Sequence, residues 1–316
     1  MREALAGSLP LREVLKTNNP VLLNFAQVLL ADAGIDAQVF DSHTSVIEGS
    51  LGILPRRVMV PDAQHARAET VLREGLAAAE ARDEDRFLGG RVSVRQPEAG
   101  FRSGLDAVML AAAVAAHTGD TVLELGSGAG VASLCLAARV EDCDIVGVEI
   151  DAALTDMANA NAHMNGATAR FVCADVFALP AELKRDFNHV FCNPPFHGDG
   201  ESSPDASRAL ALQDGGKLGD WLALGLKRTV SNGTFTTIIR ADRLGEALTA
   251  LPGAGLTIFP LWPKADSEAK RLILSVAKDS RAPLRILPGL VLHESNGGWT
   301  PDADEVLSDG KGIDLD

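Results

Sequence analysis

The 316-residue chain is short of cysteine pairs, of long apolar runs and of positive charge, and each shortage closes off a class of protein. Its four cysteines (Cys135, Cys143, Cys173 and Cys192) include no C-x-x-C pair, so the sequence offers neither a zinc site nor a disulfide framework. All four fall in or beside segments that read as buried strand or helix, where cysteine serves as small apolar filler. No metal is expected. The chain does not open with a basic segment followed by an apolar one, and no apolar run approaches about 20 residues. The expected location is cytoplasmic, with no membrane partner. A net charge of −14, from 29 basic and 43 acidic residues, argues against a nucleic-acid partner, which would favour a basic surface.

The distribution of that charge softens the objection. Residues 299–316 carry six acidic side chains and one basic, over a third of the net charge, and a tail of like charge reads as solvated and frayed. Residues 264–285 instead carry six basic side chains (Lys264, Lys270, Arg271, Lys278, Arg281 and Arg285) against three acidic ones. This modest basic strip suits a solvated face about as well as an RNA contact.

A hydrophobic content of 46% with 23% charged residues is ordinary for a globular protein, and the length allows two domains. In the first, residues 1–80, a strand ends at Val14-Leu15. Asn19-Pro20 opens a helix whose Leu22, Leu23, Ala26, Leu29 and Leu30 recur at helical spacing, and Gly34 ends it. Strands follow at Ala37–Phe40 and Val58–Val60, then a helix capped by Asp62. The order β-α-β-β-α predicts a small ferredoxin-like α/β sandwich. Residues 81–86 are charged, lack a core face and read as a linker.

The second domain, residues 87–300 ahead of the acidic tail 301–316, opens with S-x-x-D at Ser103–Asp106, a capping box before an alanine-rich helix, where Asp106 also stands at the mouth of a cofactor pocket. A strand then delivers Glu124-Leu125-Gly126-Ser127-Gly128-Ala129-Gly130 into a helix. Strand, glycine turn and helix are the first half of a Rossmann-like unit. The G-x-G-x-G spacing departs from the dinucleotide G-x-G-x-x-G, and backbone passing close to a small zwitterion suits it better. Glu149 ends the next strand, about 20 residues beyond the glycines, where an acid holds ribose hydroxyls. Asp175 ends the third, placed to accept the adenine amine of a cofactor. Glu124, Gly126, Gly128, Gly130, Glu149 and Asp175 together read as a pocket for S-adenosylmethionine.

The fourth strand ends in Asn193-Pro194-Pro195-Phe196. An amine conjugated to a purine or an amide is a poor nucleophile, because its lone pair is delocalised. If Asn193 Oδ1 and the Pro194 carbonyl each accept one N–H, the nitrogen is drawn towards tetrahedral geometry and its lone pair is freed. Asn193 thus faces both donor and substrate. Successive prolines stiffen the backbone, and Phe196 supplies a plane for a flipped-out base. His197 reads as a loop residue, since amine methylation needs no base until after transfer.

These motifs, with F-R-S-G-L-D-A-V-M-L-A, V-L-E-L-G-S-G-A-G-V-A-S-L-C-L-A-A-R-V, F-P-L-W-P-K, K-R-L-I-L and G-L-V-L-H-E, resemble the bacterial tRNA adenine-N6 methyltransferases that act beside the anticodon of a valine tRNA. The resemblance covers residues 87–300. It implies a class I methyltransferase sheet with a reversed final hairpin, S-adenosylmethionine as donor, tRNA as substrate, and RNA contacts at Lys264, Lys270 and Arg271. Phe196 stands where that family usually has tyrosine, and Ser127 where it often has cysteine. N-P-P-F-H followed by glycine is also similar to guanine-N2 methyltransferases of ribosomal RNA. A glutamine-N5 protein methyltransferase grips a similar planar amine, and an idle binding protein is a third possibility. Residues 12–77 resemble a small family of bacterial proteins ascribed to signal transduction, which implies a module for a protein or small regulator.

Overall fold

The computed structural model describes residues 10–17, 20–40, 56–82, 84–97, 102–195 and 218–315, and the chain divides into two compact units, residues 1–83 and 84–316. In the first unit β1 (Leu11–Thr17), α1 (Pro20–Asp32), β2 (Gln38–Phe40), β3 (Arg56–Pro61) and α2 (His65–Arg82) follow the expected order. Both pairings in the β1-β3-β2 sheet are antiparallel. Leu23, Ala26 and Leu30 of α1 meet Val58, Val60, Ala68 and Leu72 in the core, so the i, i+3, i+4 spacing marks the buried face. Gly34 stops α1 at φ +67°, a left-handed position suited to glycine. Asp62 does not cap α2. It begins a short 3-10 turn, Asp62–Gln64, and His65, which starts the helix, bonds the Glu13 carbonyl of β1 at 2.9 Å.

The linker expected over 81–86 is corrected. α2 runs to Arg82, and β4 (Glu84–Phe87) pairs antiparallel with β5 (Val92–Arg95) in the second unit. The charged residues hid this hairpin because they are themselves partnered: Asp85 accepts from Arg102 Nη2 at 2.5 Å and Gln96 Nε2 at 2.7 Å, while Leu88, Val92 and Val94 enter the core.

The elements that follow are α3 (Leu105–Ala113), β6 (Thr121–Leu125), α4 (Val131–Arg139), β7 (Asp144–Glu149), α5 (Ala152–Met164), β8 (Arg170–Cys173) and β9 (Phe187–Cys192). After them come α6 (Leu218–Arg228), β10 (Thr229–Arg240), α7 (Leu244–Ala250), β11 (Leu256–Trp262), β12 (Arg271–Ala277), β13 (Arg285–Ile286), β14 (Leu290–Val291) and α8 (Pro301–Leu307). The sheet order is β13-β11-β12-β10-β9-β6-β7-β8, with β14 also beside β11. β10, β9, β6, β7 and β8 run parallel, and β12 is antiparallel to both its neighbours, giving the expected reversed hairpin. Alternate strand residues face opposite ways, so Val122 and Ile145 join one apolar layer while Leu123, Leu125, Val146 and Val148 join the other.

The expected frayed tail is also corrected. Thr300 Oγ1 caps α8 by accepting from Ala303 N, and Ala303 and Val306 are buried. Ile313 and Leu315 pack on the same core, with Ile313 N donating to Ala112 O at 2.8 Å. Apolar residues spaced among the acids anchor the segment while its charges stay in water.

Candidate active site

β6 is the point where the order of the parallel strands reverses, with β7 on one side and β9 on the other. Leu125 at its end pairs with Val148 of β7 and Cys192 of β9, and Glu149 pairs with Cys173 of β8. The glycine loop, Glu149, Asp175 and Asn193 therefore all leave one edge of the sheet, at the crevice where open α/β sheets bind ligands.

The glycines have different tasks. All three sit at positive φ (Gly126 +72°, Gly128 +53°, Gly130 +86°). A Cβ on Gly130 would lie 2.7 Å from the Phe171 ring, and one on Gly126 3.0 Å from Trp221, whereas Gly128 faces open space. Gly128 thus leaves room for a ligand to approach the backbone. Glu149, 9% exposed, ties this loop to its own strand end: Oε2 accepts from Gly128 N at 2.8 Å and Oε1 from Asp151 N at 3.0 Å. Each oxygen keeps a lone pair for a further donor.

Glu124 lies deeper. Its Oε2 accepts from Ser133 Oγ at 2.5 Å and Ser133 N at 3.2 Å, tying β6 to α4 beneath the loop. Burial pushes its carboxyl up to about 8, against the Ser133 bonds, which lower it. Asp175 is exposed and its Oδ1 accepts from Phe177 N at 2.8 Å. Phe177, 42% exposed, meets Trp221 edge-on at 5.8 Å, and Trp221 also packs against Gly126. Sequence reasoning missed this aromatic wall. Phe177, two residues beyond Asp175, is a signal it could have used.

Two buried oxygens at this edge, Ser127 Oγ and Asn193 Oδ1, have no hydrogen-bond partner among the described residues. Buried polar atoms are seldom left so, and an orphan acceptor at a crevice marks where a ligand donates. Together with the open face of Gly128, these residues fit a nucleoside-bearing donor and an amine. Phe196 and His197 lie outside the described residues.

The capping box is corrected. Gly104 holds the cap position of α3 without a side-chain bond, and Ser103 N donates instead to Gln96 Oε1 at 2.6 Å. Asp106 receives Arg271 Nε at 2.8 Å, because β12 starts at this edge and presents a guanidinium to it. Arg271 is accordingly engaged within the fold. Lys264 and Lys270 are exposed on the loop between β11 and β12, and Lys270 Nζ lies 3.5 Å from Glu268. Cys173 is exposed, contrary to expectation, because β8 is an edge strand. The other three cysteines are buried, and burial raises the Cys135 and Cys192 thiols to about 12. Among the described residues no cluster could hold a metal ion and no helix is long and apolar enough to cross a membrane.

Residues 104–219 match the family described as "Methyltransferase small domain", and residues 11–75 match "Putative prokaryotic signal transducing protein". A solved structure, a predicted O-methyltransferase, protein Atu636 from Agrobacterium tumefaciens, superposes with TM-score 0.54 at 26% identity, covering 66% of this chain and 98% of that one. The second unit is a class I, S-adenosylmethionine-dependent methyltransferase. The tRNA1(Val) (adenine(37)-N6)-methyltransferase of Shewanella halifaxensis is 30% identical over 190 residues, 58% of this chain and 77% of that protein. The enzyme of the same name from Bacteroides thetaiotaomicron is 28% identical, over 52% and 70%. The chain belongs to this tRNA1(Val) (adenine(37)-N6)-methyltransferase family.

Proposed function

We propose that this chain methylates the exocyclic N6 amine of an adenine beside the anticodon of a tRNA. The observation that carries the reading is the unpartnered Asn193 Oδ1, set one strand from the glycine loop. S-adenosylmethionine, when bound, supplies an electrophilic methyl on a sulfonium. Glu149 accepts from the ribose hydroxyls, Asp175 from the adenine amine, and the bare backbone at Gly128 lets the donor approach closely, while Gly126 and Gly130 shape the loop against Trp221 and Phe171. Asp106, oriented by Arg271, stands at the mouth, and Glu124 holds β6 and α4 in place beneath.

Asn193 Oδ1 and the Pro194 carbonyl accept the two N–H groups of the substrate amine and localise its lone pair, while Phe196 stacks on the base. These acceptors favour the tetrahedral nitrogen over the planar one, so they act on rate more than on binding. Lys264 and Lys270 contact RNA phosphates, which position the substrate without reading its sequence. The first unit, bearing none of these groups, serves as a regulatory or partner-binding module. The relatives favour adenine in tRNA over guanine in ribosomal RNA or a protein glutamine.

Mass analysis of nucleosides in tRNA from a strain lacking the protein tests this. N6-methyladenosine is expected to fall in a valine tRNA and to return when purified protein and donor are added. Loss of N2-methylguanosine from ribosomal RNA, with tRNA unchanged, would overturn it.

A further inference from the structure

We propose that Arg243, locked by Glu246, is a positioning residue for the Asn193-Pro194-Pro195 turn. The inference rests on the amine-gripping role given to that turn. Pro194 and Pro195 have no N–H, so neither can anchor the turn by donating, and only their carbonyls remain as handles. Among the described residues, Arg243 holds one of them: its Nη1 donates to Pro195 O at 3.4 Å.

That bond is long, but the guanidinium is fixed independently. Arg243 Nε donates to Glu246 Oε2 at 3.0 Å, and Nη2 lies 2.9 and 2.8 Å from the two carboxylate oxygens. Such a two-pronged pair sets the plane of the group as well as its place. The side chain is only 20% exposed. The topology brings it there: β10 pairs with β9 up to Thr237 beside Cys192 and runs on to Arg240. It then turns through Ala241–Arg243 into α7, over the point where β9 ends.

Holding the Pro195 carbonyl fixes the peptide plane that leaves the turn, and with it the freedom of the Pro194 carbonyl to swing off the amine. Arg243 touches neither substrate nor donor in this role. Its contribution is geometric, through the second of the two amine acceptors. An RNA phosphate contact is the competing role, but the Glu246 carboxylate already takes the Nε and Nη2 edge of the guanidinium, and Nη1 faces the Pro195 carbonyl.

The test uses the full chain and unmodified tRNA. Arg243→Ala is expected to lower kcat about tenfold while KM for tRNA and donor Kd stay within roughly twofold, the pattern of misplaced rather than weakened binding. Arg243→Lys, which keeps charge without the fork, should recover part of the loss, and Glu246→Gln should fall between. Should the alanine variant melt early, Arg243→Gln, which keeps a donor and most of the bulk, gives the same comparison. Unchanged kcat overturns the proposal, as does a rise in tRNA KM alone that fades with added salt, the mark of a phosphate contact. Asn193→Ala run alongside separates the two claims: if it loses turnover and Arg243→Ala does not, only the positioning role falls. Full turnover in Asn193→Ala removes the amine-gripping reading itself.

Discussion

The two ends of the central strands are built to opposite rules. At the amino end of β6 and β9 each polar group named here finds a partner. Asn188 Oδ1 accepts from Thr121 N and Oγ1 at 2.9 and 2.8 Å, and His189 lies between Thr234 Oγ1 at 2.7 Å and Asp120 Oδ2 at 3.1 Å. At the carboxyl end of the same strands, Asn193 Oδ1 and Ser127 Oγ are buried and unmatched among the described residues. Buried acceptors left open at a crevice are completed by something outside the fold.

Variants on the two ends should therefore fail in different ways. The largest effect belongs to Asn193→Ala. Turnover should fall by about a hundred- to a thousandfold, as for loss of one preorganised polar partner, with donor affinity nearly unchanged, read by single-turnover methylation and calorimetric titration. Glu149→Ala should weaken donor binding by roughly tenfold or more, the size expected for lost charge-assisted hydrogen bonds. Glu149→Gln retains an acceptor and should lose less.

On the stability side, His189→Ala should cost about 1–3 kcal/mol by leaving polar partners unmatched, seen in denaturant unfolding, with kcat intact. Burial lowers the His189 pKa, so the unfolded chain binds the proton more readily, and stability falls as pH drops below about 6.5. That component should vanish in His189→Gln. Glu124 runs the other way. Its carboxyl is raised from 4.5 to about 8, so the folded chain holds a proton that the unfolded chain has lost, and stability declines as pH rises across that window. Glu124→Gln should flatten the decline. The smallest effect is expected from removing the first unit: residues 84–316 alone should bind donor within about twofold of the full chain, since the pocket lies wholly within them. A large loss would mean that the pocket depends on the first unit.

The parallel half of the sheet was readable from sequence because its strands are apolar runs, and β7, β8 and β9 lead into a polar residue at the crevice edge. Glu149, Asp175 and Asn193 fall at those ends. What escaped was partnership across long separations. S-x-x-D suggested a local cap, but Asp106 is claimed by Arg271, 165 residues away. The acids of 299–316 masked Ala303, Val306, Ile313 and Leu315, whose spacing is core-forming but too sparse to stand out. Arg243 carried no motif at all, because its part depends on where β10 ends relative to β9.

The most direct measurement is a crystal structure of the full chain with S-adenosylhomocysteine and an unmodified anticodon stem-loop of the valine tRNA. The adenine N6 is expected within about 3 Å of both Asn193 Oδ1 and Pro194 O, ordinary hydrogen-bond distance. An N6 bound elsewhere, with Asn193 Oδ1 still unmatched, would contradict the assignment of this edge to the reacting amine.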